Sequence, residues 1–460
     1  MFTRGLSQFI TRNNYEDLPG EVVTAAKFAI LDFIGVVMAG SQDPSGRIIS
    51  ELVKENMSAP EATVIGWRYK ASCSLAALAN GSAGHALDYD DCLDFSDVGL
   101  AHPTTGIFPA ALAVGEKLHI SGRDLITAYC LGIEAYAKTG LLTKESYVGK
   151  RGWEWTGVLG VMGASASVSK VLKLDENQTV RAFGIAASLA SGLIRNFGAM
   201  AGHLHAGNAA RNGVEACLLA QKGYTGRYGI IEIPGGFYNA YTGTTEPVQQ
   251  QAMEENLKAL GNPWNIIKPG LMFKAFPCAH ISHFGVDAGL QLRQKYSIDW
   301  RQIAEIEFRV PSFMGGAGVP PEPQKGVEGR FSLAYCLSRA LINGKLWISD
   351  FTDDSVKDPD TLWLMRKIKF VAQKQDRLNG VFGYQEIVLK MNDGNTFSCK
   401  VEHPKGEPQN PQTPEELEAK YRDCAEIAHY DKKTSSRIKD LILNLEKVDD
   451  ISQITTLIGV

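Results

Sequence analysis

No C-x-x-C pair occurs in this sequence, and its eight cysteines (Cys73, Cys92, Cys130, Cys217, Cys278, Cys336, Cys399 and Cys424) are scattered. That spacing argues against a zinc knuckle or a thioredoxin-like motif. It reads instead as isolated reduced thiols in a cytosolic protein. There is no G-x-x-x-x-G-K-[ST] and no G-x-S-x-G, and Gly315-Gly316-Ala317-Gly318 lacks the G-x-G-x-x-G spacing. Nucleotide cofactors are therefore not expected. No lysine/arginine block stands out and the formal net charge is -4, which argues against a nucleic-acid partner. With so mild a global field, an anionic substrate has to be attracted by local groups. Long uninterrupted apolar runs are also lacking. Ala25 to Gly40 contains Lys27 and Asp32 and reads as too short to span a bilayer. No basic leader running into an apolar stretch opens the chain, so neither signal peptide nor membrane partner is expected and the expected location is cytoplasmic.

What is present is the composition of an ordinary globular protein, 44% hydrophobic and 21% charged over 460 residues. That length favours two domains. Residues 1–267 read as helices rich in small residues. Leu18-Pro19 opens a segment with Val22, Val23, Ala26, Ile30 and Ile34 at helical spacing. Runs of Ala, Ser, Gly and Leu follow at Cys73 to Ala86, Gly160 to Val171, Ala182 to Leu193 and Ala206 to Ala220. Small residues let helices approach closely, which predicts a compact helical bundle. The texture then changes. Ile303 to Val310 alternates like a half-buried strand, and Tyr384 to Met391 and Thr396 to Val401 flank a hairpin turn at Asn392-Asp393-Gly394-Asn395. Helices are predicted between them at Ser282 to Tyr296 and Glu328 to Asn343. A Pro-rich linker, Pro404 to Pro414, leads into a capping box at Thr413-Pro414-Glu415-Glu416 and a last helix at about Thr434 to Val448. The expected fold is mainly α with an inserted α+β domain: a large helical domain from 1–267 and 406–460, and a smaller lid domain from 268–405.

Three polar clusters offer chemistry. The first is Gly84-His85-Ala86-Leu87-Asp88-Tyr89-Asp90-Asp91 followed by Ala101-His102-Pro103. A loop histidine beside carboxylates suits proton transfer, since a carboxylate fixes the tautomer and raises imidazole basicity. A solvated helix end would present the same residues. The second, His203-Leu204-His205-Ala206-Gly207-Asn208-Ala209-Ala210-Arg211, reads as a glycine-containing loop feeding a helix whose N-terminus favours anions. H-x-H with Asp88 or Asp91 has the donors for a metal, but no H-E-x-x-H accompanies it, so no metal is expected. The third runs from Phe273 through Lys274, Cys278 and His280 to His283, at the junction of the two expected domains, where ligand sites concentrate.

Taken together, and in this order and spacing, the clusters resemble the MmgE/PrpD family. Tyr15-Glu16-Asp17-Leu18-Pro19, Leu31-Asp32-Phe33-Ile34-Gly35, Gly207-Asn208-Ala209-Ala210-Arg211 and Gly223-Tyr224-Thr225-Gly226 extend the resemblance over essentially the whole chain. It implies a helical domain built from both chain ends with an inserted lid, a homodimer, and chemistry without metal or organic cofactor on carbon next to a carboxylate. The activities it brings are 2-methylcitrate dehydration, cis-aconitate decarboxylation and iminodisuccinate epimerisation. By motif position Asp88, His102 and Lys274 match catalytic residues, and Tyr147 is the candidate for the tyrosine of the epimerase branch. Asp91, Glu154, His203 and His280 are the implied substrate contacts. The chain departs from the decarboxylase-like pattern at Glu154, where a histidine is usual, and at Gly202, where a lysine is usual and His203 is adjacent. His280 falls one place late, and four extra residues precede His102.

The resulting expectation is a lyase, 2-methylcitrate dehydratase-like, that takes a proton next to a carboxylate of a small di- or tricarboxylic acid. An epimerase of an amino- or imino-dicarboxylate comes second, a decarboxylase third, and a degenerate ligand-binding member last. Lys274 is expected to line a cleft and to pack little core, so that Lys274→Ala costs activity and not stability.

Overall fold

The structure is a computed structural model that describes residues 1–94, 100–143, 151–311, 322–373 and 383–459. Tyr147 and the Gly315 to Gly318 run lie outside the described residues.

The helical bundle forms as its composition predicts. Helices Gly20–Gly40, Cys73–His85, Pro103–Leu118, Gly122–Leu142, Trp155–Val171 and Met200–Gln221 pack on one another. Their inward faces carry Ala, Gly and Ser, so backbone meets backbone. At Gly207 a Cβ would fall 2.2 Å from the Leu78 carbonyl oxygen and 2.2 Å from Ser82 Oγ. The hydrophobic core here runs from Phe2 to Leu271 and is completed by Tyr421 to Ile458. The C-terminal helices therefore pack back onto the first part of the chain. Helix Pro414–Ile427 lies against Gly20–Gly40. Its start is the expected capping box, with the Thr413 N–H donating to Glu416 at 2.7 Å and the Glu416 N–H donating to Thr413 Oγ1 at 3.3 Å.

A second core, from Phe284 to Val401, belongs to the α+β unit. Its sheet has four strands in the order Ile368–Gln373, Ile303–Pro311, Gln385–Met391, Thr396–Val401. The last two form the expected hairpin, Ile303–Pro311 pairs antiparallel to Gln385–Met391, and the first pairs parallel to Ile303–Pro311. Helix His280–Tyr296 packs on strands Gln385–Met391 and Thr396–Val401, and helix Leu333–Asn343 packs on that helix.

Several expectations are corrected. The segment read as too short to span a membrane belongs to a 21-residue helix, Gly20–Gly40, long and apolar enough by length and composition to cross one; 78% of its apolar window is buried inside the fold. His203 to Arg211 is not a loop but lies within helix Met200–Gln221. Gly207 serves close helix contact there, not a turn. Helix Glu328 to Asn343 is broken: a short turn, Gly326–Gly329, ends before Arg330, and the true helix starts at Leu333, capped by Ser332. The last predicted helix ends early, at Leu443, and a further helix, Ser452–Ile458, follows it.

Candidate active site

The first cluster is held by a three-stranded sheet too short to be legible in sequence. Cys92–Asp94 is its middle strand, flanked by Leu100–Ala101 and Leu271–Met272. Cys92 pairs with Met272, and Leu93 with both Leu271 and Ala101. This pairing fixes the loop Asp88 to Asp91 before the middle strand. It also fixes His102, at the N-cap of helix Pro103–Leu118, and Lys274, two residues beyond Met272. Groups some 170 residues apart in sequence thus share one small sheet.

Lys274 is 2% exposed. Its Nζ donates to the Asp88 backbone carbonyl at 2.9 Å and forms a short ion pair with Asp88 Oδ1. Asp88 has φ = 48°, a left-handed conformation that aspartate tolerates better than most residues. The lysine thus grips a strained residue by both backbone and side chain. Asp90 is fully buried between two imidazoles: His85 Nδ1 lies 3.0 Å from Asp90 Oδ2 and His102 Nδ1 lies 3.1 Å from it. His102 Nε2 is 3.7 Å from Asp88 Oδ1, so the closer partner of His102 is Asp90 rather than Asp88. The rings of His85 and His102 meet edge to face at 4.5 Å.

Burial opposes every charge here, and pairing overcomes it. Against that burial, Asp88 and its neighbours raise the Lys274 pKa, so the ammonium is retained. Asp88 is lowered by Lys274 and His102, and Asp90 is held well below the usual carboxylate range by its two histidines. His85 is raised by Asp90 despite burial. Asp91 goes the other way. Burial without a cationic partner pushes it up to about 8. It accepts short from the Thr104 hydroxyl, which also contacts the Tyr129 hydroxyl at 2.6 Å.

Of the remaining candidates, Glu154 and His203 stand beside His85 in this group. Glu154 caps helix Trp155–Val171, accepting from the Thr156 and Gly157 N–H groups at 2.9 and 2.8 Å, and lies 3.5 Å from His205 Nδ1. His203 is 4% exposed; its Nδ1 meets Ser45 Oγ at 2.9 Å, and its ring lies 6.1 Å from that of His85. His280 is drawn to Glu407 at 2.8 Å. Four supports escaped the sequence reading. His85 and Asp90 stood in the quoted motif without a role. Lys420, on the returning helix, donates to the Tyr89 and Lys274 carbonyls at 2.8 and 3.0 Å and pairs with Asp32 at 2.7 Å. Only the tertiary fold brings it there. Arg330 crosses from the α+β unit to the Ala86 carbonyl at 2.6 Å and to Asp43 at 2.9 Å.

One ligand atom each from His85, Asp88, Asp90 and His102 lie within 4.8 Å of one another, a donor set that suits a divalent metal. The Lys274 ammonium already sits on Asp88, so an ion there would share or displace that partner. A cavity of about 700 Å³ is lined by Ala275, Phe276, Lys345, Trp347, Asp423 and Glu426, and by no member of this tetrad. Paired charges and histidines converge at the tetrad and not at that cavity.

Comparison with known proteins gives this geometry its context. The chain is 28% identical to a cis-aconitate decarboxylase-like protein of Aspergillus oryzae, over 99% of this chain and 97% of that protein. It is 27% identical to the cis-aconitate decarboxylase of Homo sapiens, over 96% and 91%, and to that of Aspergillus terreus, over 96% and 93%. The MmgE/PrpD N-terminal domain matches residues 4–250 and the MmgE/PrpD C-terminal domain matches 276–447. With both of its domains present in order, this chain belongs to the MmgE/PrpD family.

Proposed function

We propose that this chain is a lyase that removes a proton next to a carboxylate of a small di- or tricarboxylic acid. The observation that carries the reading is the meeting of Lys274–Asp88 with His85–Asp90–His102 in one buried group. A C–H beside a carboxylate is a weak acid, so a base must be set against it and a cation where negative charge develops. Lys274, kept protonated, suits the cation. His102 suits the base, with Asp90 fixing its orientation and balancing the imidazolium that forms. A β-hydroxyl then leaves as water, its proton being the one His102 took from carbon, as the C–H electron pair forms the double bond, and this completes a dehydration.

Within this class the dehydratase reading, 2-methylcitrate dehydratase-like, is favoured over decarboxylation. Decarboxylation is what the names of the relatives offer. Yet the cations around the tetrad already carry protein carboxylates, Lys274 with Asp88 and Arg330 with Asp43, and the imidazoles of His205 and His280 lie against Glu154 and Glu407. Both cis-aconitate and 2-methylcitrate are trianions that would have to draw these cations from their partners in a site of low dielectric, which is costly; the preference rests on the departures from the decarboxylase-like pattern at Glu154 and Gly202. The test is incubation in deuterated water with hydroxy, unsaturated, amino and imino di- and tricarboxylates, read by NMR. Deuterium should enter at carbon next to a carboxylate, with an unsaturated product from a hydroxy acid. No exchange with any acid of the panel would overturn the reading.

A further inference from the structure

His203 stands beside the tetrad but is wired to something else. Its Nδ1 lies 2.9 Å from Ser45 Oγ. Ser45 Oγ in turn lies 2.8 Å from Asp43 Oδ1, which also accepts the Ser45 backbone N–H at 3.0 Å. The other oxygen of Asp43 takes Arg330 Nη2 at 2.9 Å. The direction of these bonds follows from proton counting. An ionised carboxylate only accepts, and despite burial Arg330 and Ser45 hold Asp43 below its usual range. Ser45 has one hydroxyl proton, and the contact with Asp43 requires it. Toward His203, Ser45 therefore presents a lone pair, and Nδ1 must carry the hydrogen. Burial, with His85 and Arg330 nearby, pushes the His203 pKa to about 3, so the ring is neutral. A neutral imidazole with its proton on Nδ1 has a bare lone pair on Nε2. That Nε2 is buried and has no hydrogen-bond partner among the described residues. A buried acceptor left unmet is costly.

We propose that His203 is a specificity-determining residue that accepts a hydrogen bond from a hydroxyl, amine or imine N–H on the substrate, its tautomer fixed by Ser45, Asp43 and Arg330. The inference rests on the function proposed above and narrows its substrate class to hydroxy or amino/imino acids. A fully ionised acid with no such group offers His203 only lone pairs, and two acceptors face to face repel. The arrangement also revises the expected role of His203: a ring in this tautomer does not donate to a carboxylate. Arg330 comes from the α+β unit, so the relay is complete only while that unit is seated on the helical core.

Matched ligands test this: citrate against tricarballylate, which lacks only the hydroxyl, and aspartate against succinate, which lacks only the amine. Thermal shift reads binding, and solvent deuterium exchange reads turnover. The donor-bearing member of at least one pair should bind about 10-fold or more tighter, the size of one well-made hydrogen bond in a buried site. Ser45→Ala should shrink that ratio by releasing the tautomer, whereas a merely structural role for Ser45 would weaken both members of a pair equally. Nitrogen-15 NMR of histidine-labelled protein, with the His203 signal assigned by its loss in His203→Gln, should show hydrogen on Nδ1 and none on Nε2. No preference in either pair, or hydrogen on Nε2, overturns the proposal. Exchange absent for every acid but a binding preference retained would instead remove the proposed function and leave His203 as the reader of a bound donor.

Discussion

Lys274 shows how burial changes what a residue is worth. The sequence places it between Phe273 and Ala275, and read alone it is a cleft lysine whose loss costs little stability. In the fold it is 2% exposed and paired with Asp88. Lys274→Met should therefore lower turnover roughly 100-fold or more and also destabilise the protein by about 3 kcal/mol, because a buried Asp88 is left uncompensated. Denaturant titration beside the activity assay checks both; unchanged stability would return Lys274 to the cleft wall. Asp91 allows a second test. Its folded pKa, about 8, lies above the unfolded value near 4. The folded chain then holds a proton that the unfolded chain has released, so this carboxyl lowers stability as pH rises from about 4 to 8. Asp91→Asn keeps a neutral group at every pH. The Tm difference between Asp91→Asn and the unsubstituted chain should therefore grow in favour of the variant from pH 5 to pH 9. A flat difference would mean that Asp91 is ionised throughout.

Among the elements, those with strong periodicity or turn chemistry were legible in sequence: the hairpin at Asn392 to Asn395, the capping box at Thr413, and the small-residue helices. Strand Ile368–Gln373 was not. It is a mostly exposed edge strand with no buried face to impose alternation. The three-stranded sheet that gathers the site was invisible for another reason. Its strands are two or three residues long, and their pairing is decided by contacts far apart in sequence. Of the site itself, Asp88, His102 and Lys274 were legible through their motifs. The second partner of each was not, since Asp90 and Lys420 gain meaning only from what the fold packs against them. The misreading of His203 to Arg211 as a loop came from treating Gly207 as a turn residue. Gly207→Ala should be destabilising by about 1–3 kcal/mol, since the added methyl meets backbone of the Cys73–His85 helix. It should also impair activity by shifting the helix that carries His203 and His205. Wild-type stability in this variant would mean that the two helices separate at little cost.

At the scale of the whole molecule, the residues that support the tetrad come from both parts of the chain. Lys274 lies where the helical core gives way to the α+β unit, Lys420 returns from the C-terminal end, and Arg330 reaches across from the α+β unit to the Ala86 carbonyl. Such a site needs the parts docked, and docking excludes water from the proton-transfer groups. The donor set of His85, Asp88, Asp90 and His102 makes metal dependence testable. Extended dialysis against a chelator is expected to leave activity within about twofold, because the Lys274 ammonium supplies the positive charge. Loss of activity restored by one divalent metal would transfer that role from lysine to metal.

The central claim, that Lys274 and His102 serve one proton-transfer step in one site, is tested most directly by a double-mutant cycle on solvent deuterium exchange. Lys274→Met and His102→Asn should each cost roughly 100-fold, and the double variant should be little worse than either, as for residues that act as a unit. Losses that multiply in the double variant would contradict the account and assign the two residues to separate tasks.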